Sequence, residues 1–236
     1  MASYRVQKIN EKDIADKVAK LLASYINLNL ESQQRVKFAL SGGSSPAKVY
    51  TSLGNIPLPW DRVDVILGDE RWVDPEDDSS NSKMIRKTLL SSPYGKNACF
   101  YPYETLLMDT PSKSAQSFSK ILQKLCNGSP PILDLVLLGL GDDGHTASLF
   151  PQSSATKEIE KYVTIAKGNG LERLTLTAPV ISASKKVVFL VTGSHKKEAL
   201  RRLLDSRESV ERTPAKLIQP STEILIAADY SAAELV

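Results

Sequence analysis

Apolar residues recur near the start of the chain at Ile14, Val18, Leu21, Leu22 and Tyr25, with charged residues between them. A stripe of that period predicts an amphipathic surface helix over 11–30. The pattern then changes to short runs. Residues 36–40 (Val-Lys-Phe-Ala-Leu) and 63–67 (Val-Asp-Val-Ile-Leu) read as strands. The most apolar run is 133–138, nearly continuous, as in strands buried on both faces of a parallel sheet. Further strands are expected at 162–166, 174–177, 187–192 and 223–228. Helices are expected from 47 onward with Pro46 in the first turn, over 112–125 and over 195–204. Another should start at Asn81 as its cap and carry Met84, Ile85, Thr88 and Leu89.

Strands that alternate with helices predict an α/β fold: a three-layer, mostly parallel, Rossmann-like sheet with helices on both faces. No repeat, low-complexity stretch or linker interrupts it, so one domain is expected over 1–236. In such sheets ligands bind beyond the carboxyl ends of the strands. The chemistry is therefore to be sought in the loops that follow them.

Charge and cysteine content narrow the choice of partner. Thirty Lys and Arg against 27 Asp and Glu leave a formal charge of +3, and the basic pairs 185–186, 196–197 and 201–202 are short and scattered. A nucleic-acid binder concentrates far more positive charge on one face. A small anion needs only a few well-placed cations, which this balance permits. Cys99 and Cys126 form no metal or redox motif and are expected to be free thiols, one of them at least in the core. The start of the chain lacks an apolar signal segment, and no apolar run is long enough to span a bilayer. A cytoplasmic protein without membrane or nucleic-acid partners is expected. Its oligomeric state is open, and a monomer is compatible with the sequence.

The first strand ends in Ser41-Gly42-Gly43-Ser44-Ser45-Pro46. Paired glycines before a helix let backbone N–H groups approach an anion, aided by the helix dipole. No GxxxxGK[ST] is present, so this is not a nucleotide P-loop. The second strand runs into Asp69-Glu70-Arg71, charges that are costly to bury unless paired or met by a ligand. Arg71 offers a planar fork suited to phosphate or carboxylate.

The third strand leads into Gly139-Leu140-Gly141-Asp142-Asp143-Gly144-His145-Thr146-Ala147-Ser148-Leu149-Phe150-Pro151. It formally spells GxGxxG, but Asp142 and Asp143 would repel a pyrophosphate, and Pro151 stops any helix soon after its start. His145 is expected at the start of a helix, where the positive dipole end keeps the ring neutral and able to accept a proton. Asp143 is close enough in sequence to orient that ring. His195, the other histidine, has a less suggestive setting. Ser148 lacks the GxSxG elbow of a serine nucleophile. Arg173, just before a strand, and Lys196, opening a helix, can supply cations to the same pocket. No Cys/His/carboxylate set has metal spacing, so neither a metal nor another cofactor is expected.

Taken together, the ordered segments SGGSSP (41–46), DERWV (69–73), Asn81, GLGDDGHTASLFP (139–151), ERLTLTAPVI (172–181), GSHK (193–196) and TPAKLIQP (213–220) resemble the 6-phosphogluconolactonase family, related to the glucosamine-6-phosphate deaminases. Deaminases typically continue from Asp-Gly-His with Ile-Ala-Phe-Asn, whereas Thr-Ala-Ser-Leu stands at 146–149. The resemblance implies the fold of the sugar-phosphate isomerases and deaminases. It also implies metal-free hydrolysis of 6-phospho-D-glucono-1,5-lactone in the pentose phosphate pathway. By the same resemblance His145 is the base that activates water, with Asp143 beside it. Gly42, Gly43, Ser44 and Asp69 line the substrate site, and Arg71, Arg173 and Lys196 supply its charge. Arg173 and Lys196 are expected on the phosphate and Arg71 nearer the carbonyl. Where the family often has Val-Pro, this chain has Val73-Asp74-Pro75, and the extra Asp74 is expected to lengthen a loop before Asn81. Alternatives are a glucosamine-6-phosphate isomerase/deaminase with Asp69 as proton-transfer carboxylate, a non-catalytic sugar-phosphate sensor, and, on the formal GxGxxG, a nicotinamide enzyme.

Overall fold

The computed structural model describes residues 2–105 and 107–236. Seven parallel strands form the main sheet, in the order β1, β10, β9, β6, β2, β3, β5. These strands are β1 (Tyr4–Ile9), β2 (Val36–Leu40), β3 (Val63–Leu67), β5 (Cys99–Tyr101), β6 (Leu135–Gly139), β9 (Val187–Val191) and β10 (Ile224–Asp229). From β2 the chain builds outward through β3 to β5, then returns to lay β6 on the other side of β2. It continues outward through β9 to β10, where β1 closes the edge. The direction of winding thus reverses between β2 and β6, whose following loops splay apart and leave a crevice.

Strands β2, β3, β6, β9 and β10 are almost wholly buried, which is why they read as continuous apolar runs. Helices lie on both sides of the sheet. Helix α1 (Glu11–Ser32) buries Ile14, Val18, Leu22, Ile26 and Leu30 and packs on α2 (Ser44–Gly54) and β10. The others are α3 (Asn81–Lys87), α4 (Pro111–Leu125), α5 (Ala178–Ser182) and α6 (Lys197–Leu204). Among the described residues no helix is long and apolar enough to cross a membrane. Cys99 and Cys126 are free, the latter buried.

Several expectations change in three dimensions. The strands expected at 162–166 and 174–177 are β7 (Val163–Gly168) and β8 (Leu171–Leu176), and they do not join the main sheet. With β4 (Asp69–Arg71) they form a separate antiparallel sheet in the order β4, β8, β7. Gly68 is the seam: its N–H donates to Leu40 O and its carbonyl accepts from Leu176 N, both at 2.8 Å. Arg173 therefore lies within β8 rather than before it. Strand β1 escapes the apolar pattern because it is an edge strand with exposed positions alternating along it, and β4 and β5 are too short to show a period. Asn81 is not the cap of α3. Ser80 is, its hydroxyl accepting from Lys83 N at 3.1 Å. The helix expected from His195 starts as a 3-10 turn over Ser194–Lys196 before α6.

Candidate active site

Beyond the carboxyl ends of β2, β3, β6 and β9 lies a cavity of about 480 Å³. Gly42, Gly43, Ser44, Asp69, Arg71, His145, Arg173 and Lys196 all line it, together with Glu11, Ser45, Thr192 and His195. Asp143 is not part of the lining and stands behind His145.

No helix begins at His145, contrary to expectation. From Gly141 to Pro151 the chain runs through successive turns, because the Asp143 carboxylate ties the loop to itself rather than to a helix N-terminus. Asp143 Oδ1 accepts from the His145 backbone N–H at 2.9 Å and lies 2.6 Å from His145 Nδ1. Burial works against this carboxylate, but the ring and backbone hydrogen bonds from His145 outweigh it and hold its pKa below the ordinary value. An ionised carboxylate only accepts, so Nδ1 carries the hydrogen and donates. In the neutral ring Nε2 then keeps its lone pair. The Asp143 carboxylate thus orients the ring, and no helix dipole acts on it. Gly141 is required here, since a Cβ would overlap the imidazole and the Asp143 carboxylate. The loop is braced from outside: Arg202 Nη2 donates to Asp142 O, and Ala215 N to Gly144 O, both at 3.0 Å.

The acidic and basic run after β3 is resolved by three different partners. Glu70, buried, accepts from the N–H groups of Asn81 (2.8 Å) and Ser82 (2.7 Å), so it closes the first turn of α3. Asp69 accepts from Ser148 Oγ–H at 2.6 Å and from Asn81 Nδ2 at 3.4 Å. Arg71 donates to Ser79 O, in the loop between β4 and α3. That loop delivers Asn81 onto Gly42, where any Cβ would collide with the Asn81 amide.

Strands β4 and β8 set Arg71 directly opposite Arg173. Like charges placed in that way repel unless an anion joins them. Arg173 is 7% exposed, with its guanidinium 5.3 Å above the centre of the Phe150 ring. Burial is the main influence pushing its pKa below the ordinary value; Asp69 raises it, and Arg71 lowers it further. Phe150 also meets the His145 ring, their centres 4.5 Å apart. Across the cavity, Gly43 leads into α2, and Ser45 Oγ bonds Thr192 Oγ1 at 2.6 Å, joining the α2 N-terminus to the loop that carries Lys196. Lys196 has no ion-pair partner among the described residues. Nor do the described residues contain a group of three His, Cys, Asp or Glu able to hold a metal ion.

Ser148 is fully buried and hydrogen-bonded to a carboxylate with no histidine beside it, which is not the setting of a nucleophile. Glu11 was not foreseen in the site because β1, the strand whose end it follows, carries no apolar signal. His195 enters the cavity only because Gly193 turns the chain before it.

A doubly wound α/β sheet with a His–Asp pair and opposed cations at its switch point defines the class: an α/β protein with a polar, cation-bearing cavity at the carboxyl ends of its strands. A family model described as glucosamine-6-phosphate isomerases/6-phosphogluconolactonase matches residues 9–227, and the chain belongs to this family. A 6-phosphogluconolactonase of Synechocystis sp. is 34% identical over 229 residues, covering 96% of this chain and 95% of that protein. One of Nostoc sp. is 36% identical over 215 residues, or 90% and 89% of the two chains. The solved structure of a 6-phosphogluconolactonase from Trypanosoma brucei, 26% identical, matches with a TM-score of 0.88 over the whole of both chains.

Proposed function

We propose that this protein hydrolyses 6-phospho-D-glucono-1,5-lactone to 6-phospho-D-gluconate in the oxidative pentose phosphate pathway, with His145 as general base. The observation that carries the reading is the Asp143–His145 pair, set on a cavity that also presents Arg71, Arg173 and Lys196. Water attacks the lactone carbonyl carbon while His145 Nε2 takes its proton, and the carbonyl oxygen becomes an oxyanion facing Arg71. The tetrahedral intermediate collapses, the bond to the ring oxygen breaks, and the imidazolium returns the proton to that oxygen as a hydroxyl. The product carboxylic acid then ionises. Arg173, Lys196 and the amides of Gly43 and Ser44 at the α2 N-terminus take the phosphate. The cytoplasm, where free thiols such as those of Cys99 and Cys126 persist, is the proposed compartment.

The test is a lactone-opening assay with the spontaneous rate subtracted, run beside an assay for ammonia release from glucosamine 6-phosphate. Rapid lactone opening and no ammonia are expected. Ammonia release, or binding of the lactone without turnover, would replace this reading with the deaminase or the sensor.

A further inference from the structure

Ser148, Asp69 and Arg173 form a buried chain at the cavity wall, where Asp69 and Arg173 line the cavity and Ser148 stands behind them. They are 0%, 5% and 7% exposed. The Ser148 hydroxyl donates to Asp69 Oδ2 at 2.6 Å, and the Ser148 backbone N–H donates to Thr175 Oγ1 at 3.2 Å, which anchors the serine on β8. The same Oδ2 stands 3.9 Å from Arg173 Nη1. Guanidinium–carboxylate hydrogen bonds close to about 2.7–2.9 Å when nothing prevents them. Here two buried opposite charges face each other and stay apart, and the oxygen that would close the gap is the one that Ser148 holds. On its other flank Asp69 is held by Asn81 Nδ2, at 2.8 Å from the backbone carbonyl and 3.4 Å from Oδ1.

We infer that Ser148 is a positioning residue that detains the Asp69 carboxylate and so keeps the Arg173 guanidinium open to the anionic group of the substrate. Without the hydroxyl, Asp69 closes on Arg173 as an internal counter-ion, and the substrate must compete with it. Asp69 contributes the charge that offsets the burial of Arg173 and the opposed Arg71, but only from a distance at which it does not occupy the guanidinium. Ser148 touches neither substrate nor base, so its effect falls on binding rather than on the chemical step. The inference rests on the proposed placement of the substrate phosphate at Arg173.

The experiment is a double-mutant cycle with Ser148→Ala, Asp69→Asn and the pair, after circular dichroism and thermal melts have shown each protein folded. KM and kcat are measured with the phosphorylated lactone and with unphosphorylated gluconolactone. Affinity for 6-phosphogluconate is measured by calorimetry, a readout that stands without turnover. For Ser148→Ala the expected result is a KM for the phosphorylated lactone and a Kd for 6-phosphogluconate both raised about tenfold, as when a charge-assisted contact is taken by a competitor. Its kcat should change little, and gluconolactone kinetics should not move. On the Asp69→Asn background, where no carboxylate remains to close the gap, the further change should vanish. An unchanged Kd in Ser148→Ala, an equal loss with both lactones, or the same loss on the Asp69→Asn background overturns the inference. A wild-type protein that binds 6-phosphogluconate but opens no lactone would instead sink the proposed function and leave the calorimetric cycle to judge Ser148.

Discussion

His145 is held at three points. Its ring donates to Asp143, its backbone N–H donates to the same carboxylate oxygen, and its carbonyl accepts from Gly141 N at 2.8 Å. Only Nε2 is left for chemistry. His145→Asn should therefore keep the fold and lower kcat by about 10²–10⁴, the usual contribution of a positioned base. Near-normal turnover after subtracting the spontaneous rate would remove His145 from the mechanism. Asp143 governs a pH window. Its folded pKa is depressed, so its contribution to stability is complete above the unfolded value of about 3.9 and is lost as pH falls through the lower folded value. A melt series in acid should show this stability lost, and a Tm that does not fall there would take Asp143 out of the account. For the cations, Arg173→Ala and Lys196→Ala should each cost one to two decades in kcat/KM with the phosphorylated lactone, from roughly 1.5–3 kcal/mol per charge-assisted contact. Unphosphorylated gluconolactone should be largely spared. Equal losses with both substrates would take these residues off the phosphate.

At the scale of elements, the site depends on two loops packing against each other with only the Asn81 side chain between them. The β2–α2 turn passes so close to Asn81 that Gly42 has no room for a methyl group. Asn81 in turn bonds Asp69, and its backbone N–H meets Glu70, so displacing it disturbs β4 and the start of α3 together. Gly42→Ala should lower stability by about 1–3 kcal/mol, the range for overpacking a tight site. It should also reduce kcat/KM for the phosphorylated lactone. A variant with wild-type melting and wild-type kinetics would show that this contact is slack. Glycine is needed at Gly141 for the corresponding reason on the β6 side, where the His145 ring fills the space.

At the scale of the whole molecule, the two edges of the main sheet do different work. The carboxyl edge carries the cavity, whereas the amino edge carries ion pairs. Arg35 grips Asp64 with two hydrogen bonds of 2.9 and 2.6 Å, and Lys185 meets Asp134 at 2.7 Å. Asp64 is 1% exposed, so removing its partner leaves a buried charge uncompensated. Arg35→Ala should cost about 3 kcal/mol, a fall in Tm of roughly 6–12 °C for a chain of this size. Turnover by the folded protein should be unchanged, because the pair lies at the opposite end of the strands. Loss of activity at full stability would contradict this division. Chelation tests the carboxyl edge as a whole. The described residues offer no cluster of three metal-ligating side chains, so EDTA should leave lactone hydrolysis intact. Inactivation by EDTA that is reversed by a divalent ion would overturn the water-and-base mechanism.

Much of this was legible in the chain itself. Continuous apolar runs such as 133–138 mark strands buried on both faces, and the loops after them carry Gly42, Arg71, His145 and Lys196 in an order that needs no coordinates to read. Burial writes itself into composition, so the central strands and the helices that cover them were determined by the sequence alone. The second sheet was not. β4 is three residues long, too short to leave a period in the pattern. Whether β7 and β8 extend the main sheet or pair with β4 depends on partners far away in sequence. Asp143 stood within reach of His145 in the sequence, but its contact with the ring, and the lack of a helix at His145, were settled only in three dimensions. The approach of Arg71 to Arg173, and the hold of Ser148 on Asp69, join segments up to 102 residues apart. Local patterns report what a residue buries; only the closed fold brings distant charges within reach of one another, and the chemistry of this site is made of those distances.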